Sequence, residues 1–190
     1  MSALSPMREE LQRELERLEA LLRRHGAPFT RRTGASDLDI ARAERRTGIR
    51  MDEDLRALYR FSNGSEYEEA WFAVRTDQLE PFRLCPLDEV CTLHGWQRTH
   101  LDADWNNGGV PWDPRARRYD QHTRWLPFAD FGNGNALLLF DADPAPGGHY
   151  GQILSYQHEP DAIRYCATGL VDLLRQSNTL LEAHAAELLG

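Results

Sequence analysis

The stretch from Arg124 to Cys166 constrains this chain most, because it alternates short β-prone runs with turn residues. Trp125-Leu126-Pro127-Phe128 reads as a short strand with proline at its edge. Phe131-Gly132-Asn133-Gly134-Asn135 is a tight turn leading into Ala136 to Asp141. A second turn, rich in proline and glycine, covers Asp143 to Gly148. Tyr150 to Gln157 and Ile163 to Cys166 then complete an antiparallel meander.

Helical patterns lie on both sides of this block. Ser5-Pro6 suits a helix start, since serine caps free N–H groups and proline is favoured at the first helical position. Leu11, Leu15, Leu18 and Leu22 then share one face, and His25-Gly26-Ala27-Pro28 stops the helix. Ser36 with Asp39 predicts a capping box, and Gly48 a left-handed stop. Asp52-Glu53-Asp54 opens a third helix, where the dipole favours negative charge. Residues 70 to 84 read as one or two strands, and Pro86 to about His100 as helix. A final helix begins near Thr168, with 176–190 as its extension. The expected fold is therefore α+β, a single domain over 1–190 with a central, mostly antiparallel twisted sheet between N-terminal and C-terminal helices.

Composition limits the function classes. Hydrophobic residues make up 41% and charged residues 27% of the 190, which suits a packed globular domain and not a disordered chain. No signal-peptide pattern opens the chain and no run approaches a membrane span, so a cytoplasmic location without membrane contact is expected. Cys85, Cys91 and Cys166 have no CxxC spacing and read as reduced, buried thiols. Lysine is absent and all 22 basic residues are arginine, which suggests a high-GC genome. Net charge is −8 overall, and the central third, residues 52 to 104, is the most acidic. An acidic centre repels phosphate backbones, which argues against nucleic acid, and attracts a basic protein partner.

Two blocks carry a family resemblance. GASDLDIARAERRTGIRMDEDLRALYRFSNG, from Gly34 to Gly64, resembles the helical entry of the SUKH superfamily. That superfamily includes Smi/Knr-type cell-wall regulators and bacterial toxin-immunity proteins. Asp52 stands where the family usually has proline, and either residue suits a helix start. The second block, TRWLPFADFGNGNALLLFDADPAPGGHYGQI, matches the family pattern at Trp125, Pro127, Phe128, Gly132, Gly134, Asn135, Asp141, Pro144, Gly147, Gly148, Gly151 and Gln152. The resemblance spans roughly residues 8 to 175, with a long loop at 105–123.

Elementary chemistry accounts for these signature residues as fold-forming. The glycines suit turns with positive φ. Trp125 is expected to fill the space between sheet and helix, and Asp141 to accept N–H groups of the following turn. The resemblance implies a non-enzymatic protein binder: an immunity protein that neutralises a cognate bacterial toxin, for instance a nuclease, or alternatively a regulatory scaffold in cell-wall or signalling control.

No catalytic, metal or cofactor site is expected. Asp141-Ala142-Asp143 lacks a full calcium-loop frame, and Cys85, Cys91, His94 and His100 match no zinc spacing. The sharpest binding candidates are Glu66, Tyr67, Glu68 and Glu69, where acids flank an aromatic after a turn. Asp102, Asp104, Trp105 and Trp112 form the second candidate, an acidic loop with two tryptophans that either offers a contact patch or folds back onto the sheet. A monomer meeting a basic partner surface is the expected working state.

Overall fold

Capping chemistry sets several of the helix limits. The computed structural model describes residues 6–100, 107–118, 123–132, 134–158 and 161–189, and Ser5, Asp102, Asp104 and Trp105 lie outside them. Helix α1 (Pro6–Arg24) buries Leu11, Leu15, Leu18 and Leu22, with Leu21 beside them. Helix α2 (Asp37–Thr47) opens on the capping box: Asp39 N donates to Ser36 Oγ, and Ser36 N donates to the Asp39 carboxylate, both at 3.2 Å. Gly48 closes it in the left-handed region, its N–H donating to Glu44 O at 2.8 Å. Helix α3 (Glu53–Phe61) starts where Asp52 Oδ1 accepts from Leu55 N at 2.8 Å. Arg56 then ties α3 to α2 by donating to both carboxylate oxygens of Glu44, which also accepts from Met51 N.

The region read as one or two strands is a hairpin, β1 (Phe72–Arg75) and β2 (Leu79–Leu84). Helix α4 (Leu87–His100) follows, its start capped from a distance by Asn63 Oδ1 accepting from Leu87 N at 3.0 Å. The meander supplies β3 (Trp125–Phe131), β4 (Ala136–Asp141), β5 (Gln152–Gln157) and β6 (Ala162–Ala167). All six strands form one sheet in chain order, and every neighbouring pair is antiparallel. Helix α5 (Leu170–Ala183) packs against α1 and β1. The expected α+β architecture is the one observed.

Side chains alternate between two faces of this sheet. Ala136, Leu138 and Phe140 of β4 join the larger core cluster, together with α1, α2, α3 and α5. Leu137 and Leu139 point the other way, into a smaller cluster with Trp125, Leu154, Tyr156 and Ile163. That second face is covered by irregular chain carrying Trp112 and Ala116. A single 3-10 turn at Asn107–Gly109 anchors this cover. Asn107 is fully buried with φ +59°, and its amide accepts from Ile163 N and donates to Ile163 O.

Three expectations need correction. Pro127 lies inside β3, not at its edge, where the register shifts between Pro127 and Ala129. A proline is tolerated there because β2 pairs with β3 only at Asp130 and Ala129, so no β2 residue opposes it. Trp125 packs chiefly under irregular chain, stacked on Trp112 with ring centroids 6.1 Å apart, and Leu93 of α4 is the helical residue beside its cluster. The terminal helix breaks at His184, and a short α6 (Ala185–Leu188) follows.

Candidate functional site

The Asn63-Gly64 turn shapes the surface that the sequence singled out. Gly64 has φ +92°, and a Cβ there would meet Pro86 at 2.9–3.0 Å, so only glycine lets the turn seat on the start of α4. Ser65 then locks onto β2: Ser65 N donates to Leu84 O, and Leu84 N donates to Ser65 Oγ. Arg32 grips Glu66 through two hydrogen bonds at 3.0 and 3.2 Å, which hold the Glu66 carboxyl below its ordinary pKa. The loop from Ser65 to Glu69 is therefore fastened at both ends, with Tyr67 and Glu68 at its tip.

These residues have distinct fates. Tyr67 is 57% exposed, and Glu68 is exposed with no ion-pair partner among the described residues. Glu69 is 4% exposed, so its place among the surface candidates is corrected. Its carboxylate accepts from Thr30 N at 3.0 Å and from Trp71 Nε1 at 3.3 Å, which fastens the loop before α2 to the sheet. Trp112 also turns inward: its Nε1 donates to Ala116 O at 2.6 Å while its ring lies on Trp125.

The structure adds a partner for Tyr67. Phe131, the last residue of β3, stands 43% exposed beside the β3–β4 turn, in the same groove of about 280 Å³. Its inner edge rests on buried Phe82 at 6.2 Å. Beneath both aromatics runs an ion network in which Arg83 donates to Glu89 and to Asp130, and Asp130 accepts from Gly134 N at 2.6 Å. The Arg83 guanidinium also lies 5.0 Å from the Tyr67 ring centroid. Burial works against the charge on Arg83, but the Glu89 hydrogen bond and the surrounding negative charge outweigh it, so its pKa is raised. One half-buried cation thus braces both the β3–β4 turn beside Phe131 and the ring of Tyr67.

Sequence reasoning missed Phe131, Arg83 and Asp130. Phe131 was read as part of a turn, and its flank of Gly132 and Gly134 was the available signal, since an aromatic beside a glycine turn is lifted out of the strand. Nothing local marks Arg83 and Asp130 as partners, because they are 47 residues apart in sequence.

The signature residues hold the β4–β5 turn. Asp141 accepts from Asp143 N at 3.0 Å and from Gln152 Nε2 at 2.8 Å, and Gln152 Nε2 also donates to Arg115 O. Gly148 approaches Arg115 O and Pro144 too closely for any side chain, and Gly151 does the same against Asp52. Gly132 and Gly134 supply the positive φ of the β3–β4 turn. Burial raises the pKa of Asp141 against the hydrogen bonds that lower it.

The thiols are poor nucleophiles. Burial raises the pKa of Cys85 and Cys91 and pushes Cys166 up to about 11, so all three stay protonated at neutral pH.

Comparison with known families agrees with the turn-and-cap pattern. Residues 34–176 match the SMI1 / KNR4 family (SUKH-1) model. The match begins at Gly34, so α1 lies outside it, later than the residue 8 expected from the sequence. No curated protein matches the chain. A family model that covers three quarters of the residues, from the GAS entry through the β-meander, places this chain in the SMI1/KNR4 family (SUKH-1).

Proposed function

We propose that this protein is a non-enzymatic immunity protein that neutralises a cognate bacterial toxin by direct, stoichiometric binding. The observation that carries the reading is the pair of exposed aromatics, Tyr67 and Phe131, set in one groove on anchored turns. Aromatic anchors on a preorganised frame are the residues that dominate binding energy at protein interfaces. Glu68 lines the same groove and is exposed, which suits a basic toxin surface and speeds encounter with it. Family membership supports the role, since the resemblance implies immunity factors. In this reading the protein works as a cytoplasmic monomer and acts by occlusion, without turnover, metal or cofactor.

Co-expression with the product of the adjacent gene tests this. The expected result is rescue of growth and a stable complex whose association rate falls as salt rises. Rescue without co-purification, or turnover of the toxin by catalytic amounts of this protein, contradicts it.

A further inference from the structure

The two free edges of the sheet face each other. Residues of β1 and β6 line one groove of about 530 Å³, floored by Leu173 and Leu180 of α5. Arg164 of β6 reaches Asp77 in the β1–β2 turn and latches the edges together at one end. No hydrogen-bonded ladder joins β1 to β6 among the described residues, so the curled sheet is open along this seam.

Register shows which backbone groups point into this gap. In an antiparallel ladder, residues alternate between those bonded to their neighbour and those turned outward. On β1, Ala73 N donates to Ser177 Oγ at 2.7 Å, so Ala73 is turned outward, opposite Pro81. Arg75, two residues on, is turned outward as well. On β6, both backbone groups of Ile163 bond to Asn107, so Ile163 and then Tyr165 are turned outward. The fold itself covers Ala73 with the buried side chain of Ser177 and Ile163 with that of Asn107, and Cys166 O accepts from Gln176 Nε2 at 3.4 Å. Arg75 and Tyr165 lie beyond that cover, and both line the groove.

The groove has its own charge. Arg75, Arg164 and Arg175 line it; Arg164 is paired with Asp77, and Arg175 with Glu10, Glu14 and Asp172, which leaves Arg75 as the cation that faces the groove without a carboxylate among the described residues. Arg75 is exposed, and its side chain meets the His184 imidazole at 2.9 Å, a contact that leaves its charge without a carboxylate.

We infer that this seam is a second docking site, which takes an extended, carboxylate-bearing segment of a partner protein as an added strand. Backbone groups on both edges supply affinity, the apolar floor accepts alternate side chains, and Arg75 selects an acid. Because β1 and β6 run antiparallel to each other, an inserted strand lies antiparallel to one edge and parallel to the other. The site is separate from the Tyr67–Phe131 groove, with which it shares no lining residue, so either can fail alone.

The test uses the full chain and a short fluorescent peptide of alternating valine and glutamate. Saturable binding is expected, with slowed amide exchange at Arg75 and Tyr165. Arg75→Glu should weaken it by about tenfold or more, and Arg75→Ala, at an exposed position that leaves the fold intact, by somewhat less. A valine–lysine peptide and an N-methylated valine–glutamate peptide should not bind. Absence of binding, equal binding of either control peptide, or a dimer of the protein alone that protects the same amides overturns the inference.

Discussion

Two fully buried tryptophans, Trp71 and Trp125, mark the two sides of the sheet, and they are held differently. Trp71 lies on the helix-covered side, stacked on Phe29 at 4.7 Å and edge-on to Phe61 of α3, its indole N–H bonded to Glu69. Trp125 lies on the other side, under Trp112 and irregular chain, opposite Asp141 in the β3–β4 register. Both rings meet an aromatic and a carboxylate. The first belongs to the cluster shared with α1, α2, α3 and α5, whereas the second lies chiefly under irregular chain, with Leu93 of α4 beside it. The helix side should therefore respond to damage as a unit, while the loop side should yield locally.

Substitution measures that difference. Trp71→Ala should have the largest effect, about 3–5 kcal/mol in urea unfolding, because capped helices cannot collapse into the hole. Trp125→Ala should fall at the lower end of that range, since its cover can settle. Equal losses would remove the distinction. Gly34→Ala comes next. A Cβ at Gly34 would stand 1.9 Å from Arg60 O, so the entry to α2 must move off the end of α3, at a cost of about 1–3 kcal/mol. Trp112→Ala should cost about 1–2 kcal/mol and raise amide exchange in residues 107–118 while α1, α2 and α3 keep their protection.

The smallest effect concerns a buried charge on the helix side. Burial raises the pKa of Asp52 above the ordinary aspartate value, against the N–H groups of α3 that it caps. A carboxyl raised in this way favours folding in its protonated form. Its contribution is complete below the unfolded-state pKa and is lost as pH rises through the folded value. Asparagine caps as well as aspartate does, so Asp52→Asn should stabilise the protein at neutral pH by less than about 1 kcal/mol. That gain should vanish as pH falls below the ordinary aspartate range. A gain that persists in acid would mean that the charge is not the cause.

What the sequence disclosed follows the same division. The Ser36–Asp39 box, the Gly48 stop and the Asp52 cap were legible because each depends on residues within a few positions of one another. The meander was legible because its turns carry glycine, asparagine and proline. The side on which Trp125 packs was not, since a strand pattern gives alternation without saying which face the helices cover. Glu69 reads as one acid in an acidic loop, and its burial depends on Thr30, 39 residues upstream. Of the candidate site, Tyr67 and its acids were visible as a cluster. Phe131 was not, because only the curl of β3 beside β2 brings it next to Tyr67.

The claim that this surface works by contact is tested most directly by titrating the product of the adjacent gene, the toxin of the proposed function, with the wild-type chain and with the double variant Tyr67→Ala/Phe131→Ala. Wild type should bind one to one. The variant, with both changes at exposed positions, should unfold at the wild-type denaturant midpoint yet lose at least about a hundredfold in affinity, as the removal of two anchors implies. A correctly folded double variant that binds and protects as well as wild type would contradict the account.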